Sequence, residues 1–127
     1  MIKVVFLATP EIAVKSLEYL ATKEDIDVQT IVTMPDRPAG RGCKIQEPPV
    51  KVAAKNHDIK ILQTPSISKT PEMIEELKAM EPDFFVTFAF GQLLSQEVLD
   101  IPKFCTINLH ASLLPKYRGA NPIQWCI

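Results

Sequence analysis

Asn108 and His110 stand two residues apart in Thr106-Ile107-Asn108-Leu109-His110, a carboxamide and an imidazole separated by one apolar side chain. A carboxamide donates and accepts hydrogen bonds, and an imidazole can hold or pass a proton near neutral pH. In a strand over 106–109, alternation puts both polar side chains on one face and turns Leu109 the other way, into the sheet. Both then emerge at the carboxyl end of a parallel strand, the edge where open α/β sheets bind ligands. A histidine at a strand end serves equally as a hydrogen-bonded structural residue, so the pair by itself leaves both readings open. A second group of polar residues lies in Met34 to Pro49, where Arg37, Arg41 and Lys44 are interleaved with four prolines and two glycines. Arginine and lysine offer fixed positive charge and, for arginine, forked donors suited to phosphates. Prolines limit the entropy lost on ordering such a loop, and glycines let a backbone approach closely; a solvated polar loop accounts for the same composition.

These residues need a scaffold, and the chain is long enough to supply one. Its 127 residues, 46% hydrophobic and 23% charged, belong with ordinary globular domains, and one domain is the natural count. A chain of this size buries roughly two thirds of its unfolded surface without needing staples. The three cysteines, Cys43, Cys105 and Cys126, are odd in number and scattered, with no pair at metal-ligand spacing, so they are expected to be reduced thiols and the site to hold no metal. The opening apolar run is too short for a membrane span and lacks a signal-peptide cleavage region, which predicts a cytoplasmic protein. With 14 basic against 15 acidic residues the net charge is −1. Any contact with nucleic acid must therefore come from a local patch, not a global field.

Apolar runs of strand length alternate with amphipathic stretches, the pattern of βαβ units around a mostly parallel sheet with flanking helices. Strands are expected over 4–8, 28–33, 59–62, 84–90 and 106–109. Thr9, Pro10 and Glu11 read as the cap and first turn of a helix reaching Thr22. Further helices are expected over 50–56, 71–80 and 95–99, and residues 34–49 are expected to hold nothing regular. Residues 120–127 have helical character and stop on an apolar face without a cap, which suggests a fragment of a longer domain. The first turn, Ala8-Thr9-Pro10-Glu11, has none of the glycines of a dinucleotide-binding G-x-G-x-x-G, which disfavours that class.

The string from Asn108 to Ile123, N-L-H-A-S-L-L-P-K-Y-R-G-A-N-P-I, resembles the signature of the folate-dependent formyltransferases: Asn, one residue, His, a small residue, S-L-L-P, then R-G-A. Phe88-Ala89-Phe90-Gly91-Gln92-Leu93-Leu94 is similar to the segment with which that family wraps the pterin ring, and Phe6 to Pro10 to its first strand and turn. The resemblance implies a Rossmann-like α/β fold and transfer of a formyl group from 10-formyltetrahydrofolate to an amine, without a metal. It implies that Asn108 supplies an amide N–H and His110 a hydrogen bond or a proton as charge develops. It further implies that Phe88, Ala89, Phe90, Gly91, Gln92, Leu93 and Leu94, with Ser112, Leu113, Leu114 and Pro115, hold the folate.

Pro35 to Gly42 matches the P-D-R-P-A-G-R-G insertion found in those members of the family that act on methionyl-tRNA and absent from those acting on a small amine, such as glycinamide ribonucleotide or an amino sugar nucleotide. The implied partner is initiator methionyl-tRNA, met through Arg37, Arg41 and Lys44, in a protein that is monomeric at full length. The family's third catalytic group, an aspartate on a later loop, and its carboxyl-terminal β-barrel both fall beyond Ile127; neither Asp83 nor Asp100 matches the aspartate's position. Residues 1–127 alone are thus expected to bind folate weakly and to transfer formyl groups poorly or not at all. A non-catalytic RNA-binding module built on Arg37 to Lys44 is the competing reading, and it would need no folate pocket.

Overall fold

A computed structural model describes residues 1–39 and 44–109. Five strands form one wholly parallel sheet: β1 (Ile2–Ala8), β2 (Ile26–Thr33), β5 (Lys60–Gln63), β6 (Phe84–Phe88) and β7 (Cys105–Leu109). They lie in the order β5-β2-β1-β6-β7. Two further short strands, β3 (Arg37–Ala39) and β4 (Lys44–Gln46), pair antiparallel as a separate hairpin. The helices are α1 (Val14–Thr22), α2 (Pro49–Asn56), α3 (Pro71–Met80) and the short α4 (Gln96–Leu99).

Strand β1 is buried at every position from Val4 to Ala8 and so requires cover on both faces. Val4, Phe6 and Ala8 face one way, against Leu17 of α1, Val50, Ala53 and Ala54 of α2, and Val86 and Phe88 of β6. Val5 and Leu7 face the other way, against Ile67, Leu77 of α3, Phe85, Phe90 and Val98 of α4. Helices α1 and α2 thus cover one face and α3 and α4 the other, in three layers. Pro49 and Pro71 start α2 and α3, where a missing N–H costs nothing. The Ser95 side chain caps α4 by accepting from the Val98 N–H at 3.3 Å.

Three expectations are corrected. Residues 37–46 carry a paired hairpin where only irregular chain was expected; Pro38, opposite Ile45, is tolerated because a two-stranded ribbon has an outer edge where its absent N–H is not needed. Thr9 makes no cap hydrogen bond, and α1 is preceded by a 3-10 turn over Glu11–Ala13. Strand β6 also stops at Phe88, two residues short, because Ala89 turns to a left-handed φ of 52°. Residues 120–127 lie outside the described residues.

Leu17 is fully buried and joins α1 to the sheet. Leu17→Ala should therefore lower the unfolding free energy by about 2–5 kcal/mol, the range for deleting a buried leucine side chain. Equilibrium urea unfolding measures this, and a loss below about 1 kcal/mol would mean that α1 does not pack as described.

Candidate functional site

The strand order reverses between β1 and β6: from β1 the chain winds outward to β2 and β5, then returns to place β6 and β7 on the opposite side. The carboxyl ends of those two strands therefore diverge and leave a crevice, the usual ligand position in such sheets. A cavity of about 550 Å3 occupies it. Its walls come from the first turn (Thr9 to Glu11), the segment after β6 (Ala89 to Gly91), and the neck of the hairpin, where Met34, Pro35 and Arg37 face Gln46 to Pro49.

Thr9 holds these walls together. Its hydroxyl donates to the Phe90 carbonyl oxygen at 3.2 Å and accepts from the Thr33 hydroxyl, at the end of β2, at 3.4 Å. Its own carbonyl accepts the Val50 N–H of α2 at 3.5 Å. A residue read from sequence as a helix cap instead ties the ends of β1, β2 and β6 to α2. The turn after β6 is made by Ala89 at φ 52° and Gly91 at φ 83°. No heavy atom lies within 4 Å of the position a Cβ would take at Gly91. Gly91→Ala would thus meet no clash, only the backbone penalty of a left-handed residue, about 1–2 kcal/mol of unfolding free energy. A thermal melt on the variant reads that loss, and an unchanged midpoint would show that the left-handed turn is not needed.

The residues expected to hold folate are sorted by this geometry. Ala89, Phe90 and Gly91 line the cavity. Phe88 is buried in the α1-side core and Leu94 packs against the α3-side core. Gln92 is a tether: its Oε1 accepts the Ile67 N–H at 2.8 Å, and its Nε2 donates to the Thr64 carbonyl at 2.6 Å and approaches the Met34 sulfur at 3.0 Å. Leu93 projects outward, 92% exposed. Ser112, Leu113, Leu114 and Pro115 lie outside the described residues, as does His110.

Asn108 sits on β7 in register with Thr87 of β6. The Thr87 hydroxyl donates to Asn108 Oδ1 at 2.7 Å, which fixes the carboxamide's orientation. Thr87 itself is 5% exposed, so the contact is sheltered from water. Neither aspartate set aside in the sequence belongs to this crevice: Asp83 Oδ2 accepts the Lys3 N–H at 2.9 Å at the opposite end of the sheet, and Asp100 bonds Gln96 on the surface. Among the described residues no group of His, Cys, Asp and Glu could hold a metal ion, and no helix is long and apolar enough to cross a membrane.

Of the basic residues, Arg37 is exposed, opens β3 opposite Gln46 and lines the cavity. Lys44 opens β4, and Arg41 lies outside the described residues. Sequence reading missed the charged clasp at the hairpin's neck. Lys51 Nζ of α2 lies 3.0 Å from both carboxylate oxygens of Asp36 and 3.0 Å from Glu47 Oε2. Asp36 also accepts from Gln63 Nε2 at 2.7 Å, and Glu47 also pairs with Lys55. The bonds from Gln63 and then Lys51 lower the Asp36 pKa; those from Lys55 and then Lys51 lower that of Glu47. Bonds to Glu47 and then Asp36 raise that of Lys51. A depressed carboxylate contributes above its unfolded pKa and loses that contribution as pH falls through its folded value; a raised ammonium contributes below its unfolded pKa and loses it as pH rises through its folded value. The clasp should thus be constant from about pH 5 to 10 and loosen only outside that window. Amide-exchange protection of residues 37–39 and 44–46, corrected for intrinsic rates, should be flat across it and fall below about pH 4. A steep change between pH 6 and 8 would be inconsistent with these partners.

Residues 2–127 match the family model described as formyl transferase. The chain is 54% identical over 127 residues to methionyl-tRNA formyltransferase of Clostridium tetani, covering 100% of this chain and 40% of that protein. It is 49% identical over 126 residues to the enzyme of the same name from Geobacter sulfurreducens, covering 99% and 39%. The chain thus spans about 40% of the length of these curated relatives. Among solved structures, it superposes on glycinamide ribonucleotide transformylase 1 from Symbiobacterium toebii with a TM-score of 0.64 at 17% identity, over 92% of this chain and 55% of that one. Phosphoribosylglycinamide formyltransferase from Bacillus halodurans gives 0.61 at 22% identity, over 91% and 59%. At those identities the structures speak for the fold.

Proposed function

The chain belongs to the formyl transferase family, and on that premise we propose that it forms the donor-binding and part of the catalytic portion of an enzyme that formylates the α-amino group of methionyl-tRNA for translation initiation, in the cytoplasm. The observation that carries this reading is the 54% identity along all 127 residues to a methionyl-tRNA formyltransferase, a match that includes the hairpin from Arg37 to Gln46. The donor is 10-formyltetrahydrofolate, which when bound supplies the electrophilic formyl carbon. The crevice suits its flat ring: Met34, Pro35 and Pro48 line it beside the backbone turn at Ala89 to Gly91.

The chemistry asks these residues to position an amine against a carbonyl and to meet the negative charge that grows on its oxygen. Asn108 Nδ2, oriented by the Thr87 hydroxyl on Oδ1, is the donor for that charge. His110, two residues on, supplies a hydrogen bond or a proton as that charge develops. Arg37, Arg41 and Lys44 meet acceptor phosphates, while the turn after β6 meets the folate.

In the full-length protein, Asn108→Ala should lower kcat for methionyl-tRNA formylation by about 10²–10³, the cost of removing one preorganised oxyanion donor. Arg41→Ala should instead raise KM for the tRNA and leave folate binding intact. Radiolabelled formyl transfer with purified initiator tRNA measures both. Undiminished transfer by the Asn108 variant would remove that residue from the mechanism, and efficient formylation of a small amine in place of methionyl-tRNA would favour the small-acceptor reading.

A further inference from the structure

The hairpin leaves the body of the protein at Asp36 and rejoins it at Glu47, and a single ammonium grips both points. Lys51 reaches Asp36 and Glu47 at 3.0 Å each, and its side chain is only 13% exposed. It stands on a firm base: its neighbours on α2, Val50, Ala53 and Ala54, are buried in the α1-side core. Gln63 at the end of β5 gives the neck a second hold, donating to Asp36 and to the Met34 carbonyl at 3.1 Å. Arg37 follows Asp36 directly, so whatever fixes Asp36 also fixes where β3 and its arginine begin.

We propose that Lys51 is a positioning residue for the acceptor: by holding Asp36 and Glu47 together it sets how the β3–β4 hairpin stands beside the crevice, and thereby the affinity for acceptor RNA. The proposal rests on the function proposed above. Two physical effects act in the same direction. The clasp removes freedom from the neck before the acceptor arrives, so less order must be imposed on binding. The ammonium also neutralises carboxylates that would otherwise sit beside Arg37 and repel phosphate; Lys55 shares that task at Glu47. With the Asp36 and Glu47 side chains 30% and 31% exposed, water screens these pairs and they contribute little to global stability, so geometry and local charge are the properties at stake.

The test compares Lys51→Gln with Lys51→Arg in the full-length enzyme. Lys51→Gln should raise KM for methionyl-tRNA about tenfold, while KM for 10-formyltetrahydrofolate and kcat stay within about twofold. Lys51→Arg, which keeps the charge, should recover most of the loss. Amide exchange should quicken in 37–39 and 44–46 and stay unchanged in β1 and β2. An unchanged acceptor KM, or equal rises in both KM values, would overturn the proposal. Should Lys51→Gln not fold, Asp36→Asn releases one arm of the clasp while removing a negative charge; amide exchange should still quicken in 37–39 and 44–46, and unchanged exchange there would overturn the proposal. Exchange needs no acceptor, so failure of the clasp is separable from failure of the functional reading, which would show as a wild-type enzyme unable to formylate methionyl-tRNA.

Discussion

Strand β1 is hidden on both faces, and the rest of the architecture follows from that requirement. A strand with Val4, Phe6 and Ala8 on one side and Val5 and Leu7 on the other cannot rest against a single layer. The chain must send crossovers over each face in turn, and right-handed crossovers do this only by starting outward in one direction and returning to start in the other. The reversal beside β1 opens the crevice. The burial that stabilises the sheet and the gap that admits a ligand are thus two results of one constraint, with the gap falling where Ala8 gives way to Thr9 and Phe88 to Ala89.

Most of the sheet is legible in the sequence because its strands are continuous apolar runs and its helices carry clear spacing. Pro71 to Met80 reads as a helix from Met73, Ile74 and Leu77 on one face, and all three are buried against the same core. Boundaries moved where backbone conformation, not hydropathy, decides them: Ala89 is apolar enough to extend β6, yet it takes a left-handed turn. The hairpin is illegible for a different reason. Four prolines and two glycines argue against local regularity, and what brings residues 37–39 against 44–46 is held from outside, by Lys51 on α2 and Gln63 on β5.

The candidate site divides in the same way. Asn108 can be singled out from its place at a strand end, and the segment after β6 from its resemblance to a known one. That Gln92 would turn inward as a tether while Leu93 projects could not be read, since both are decided by the carbonyl of Thr64 and the N–H of Ile67, more than twenty residues earlier in the chain. Thr87 is similar: an ordinary strand threonine by its sequence context, it gains meaning only from the register that sets it beside Asn108. Residues whose role is to orient others are visible only once the fold has chosen their neighbours.

The hydrogen bonds made by Thr9 have a consequence for how this region can vary. One side chain and its carbonyl join the end of β2, the turn after β6 and the start of α2. Changes at Thr33, Phe90 or Val50 are therefore not independent, because each alters the arrangement that Thr9 must satisfy for the other two, and their energetic effects should combine non-additively. Positions scattered across the chain form one unit of variation around the crevice. A substitution harmless in one background can thus be costly in another, with no change in any residue that touches a ligand.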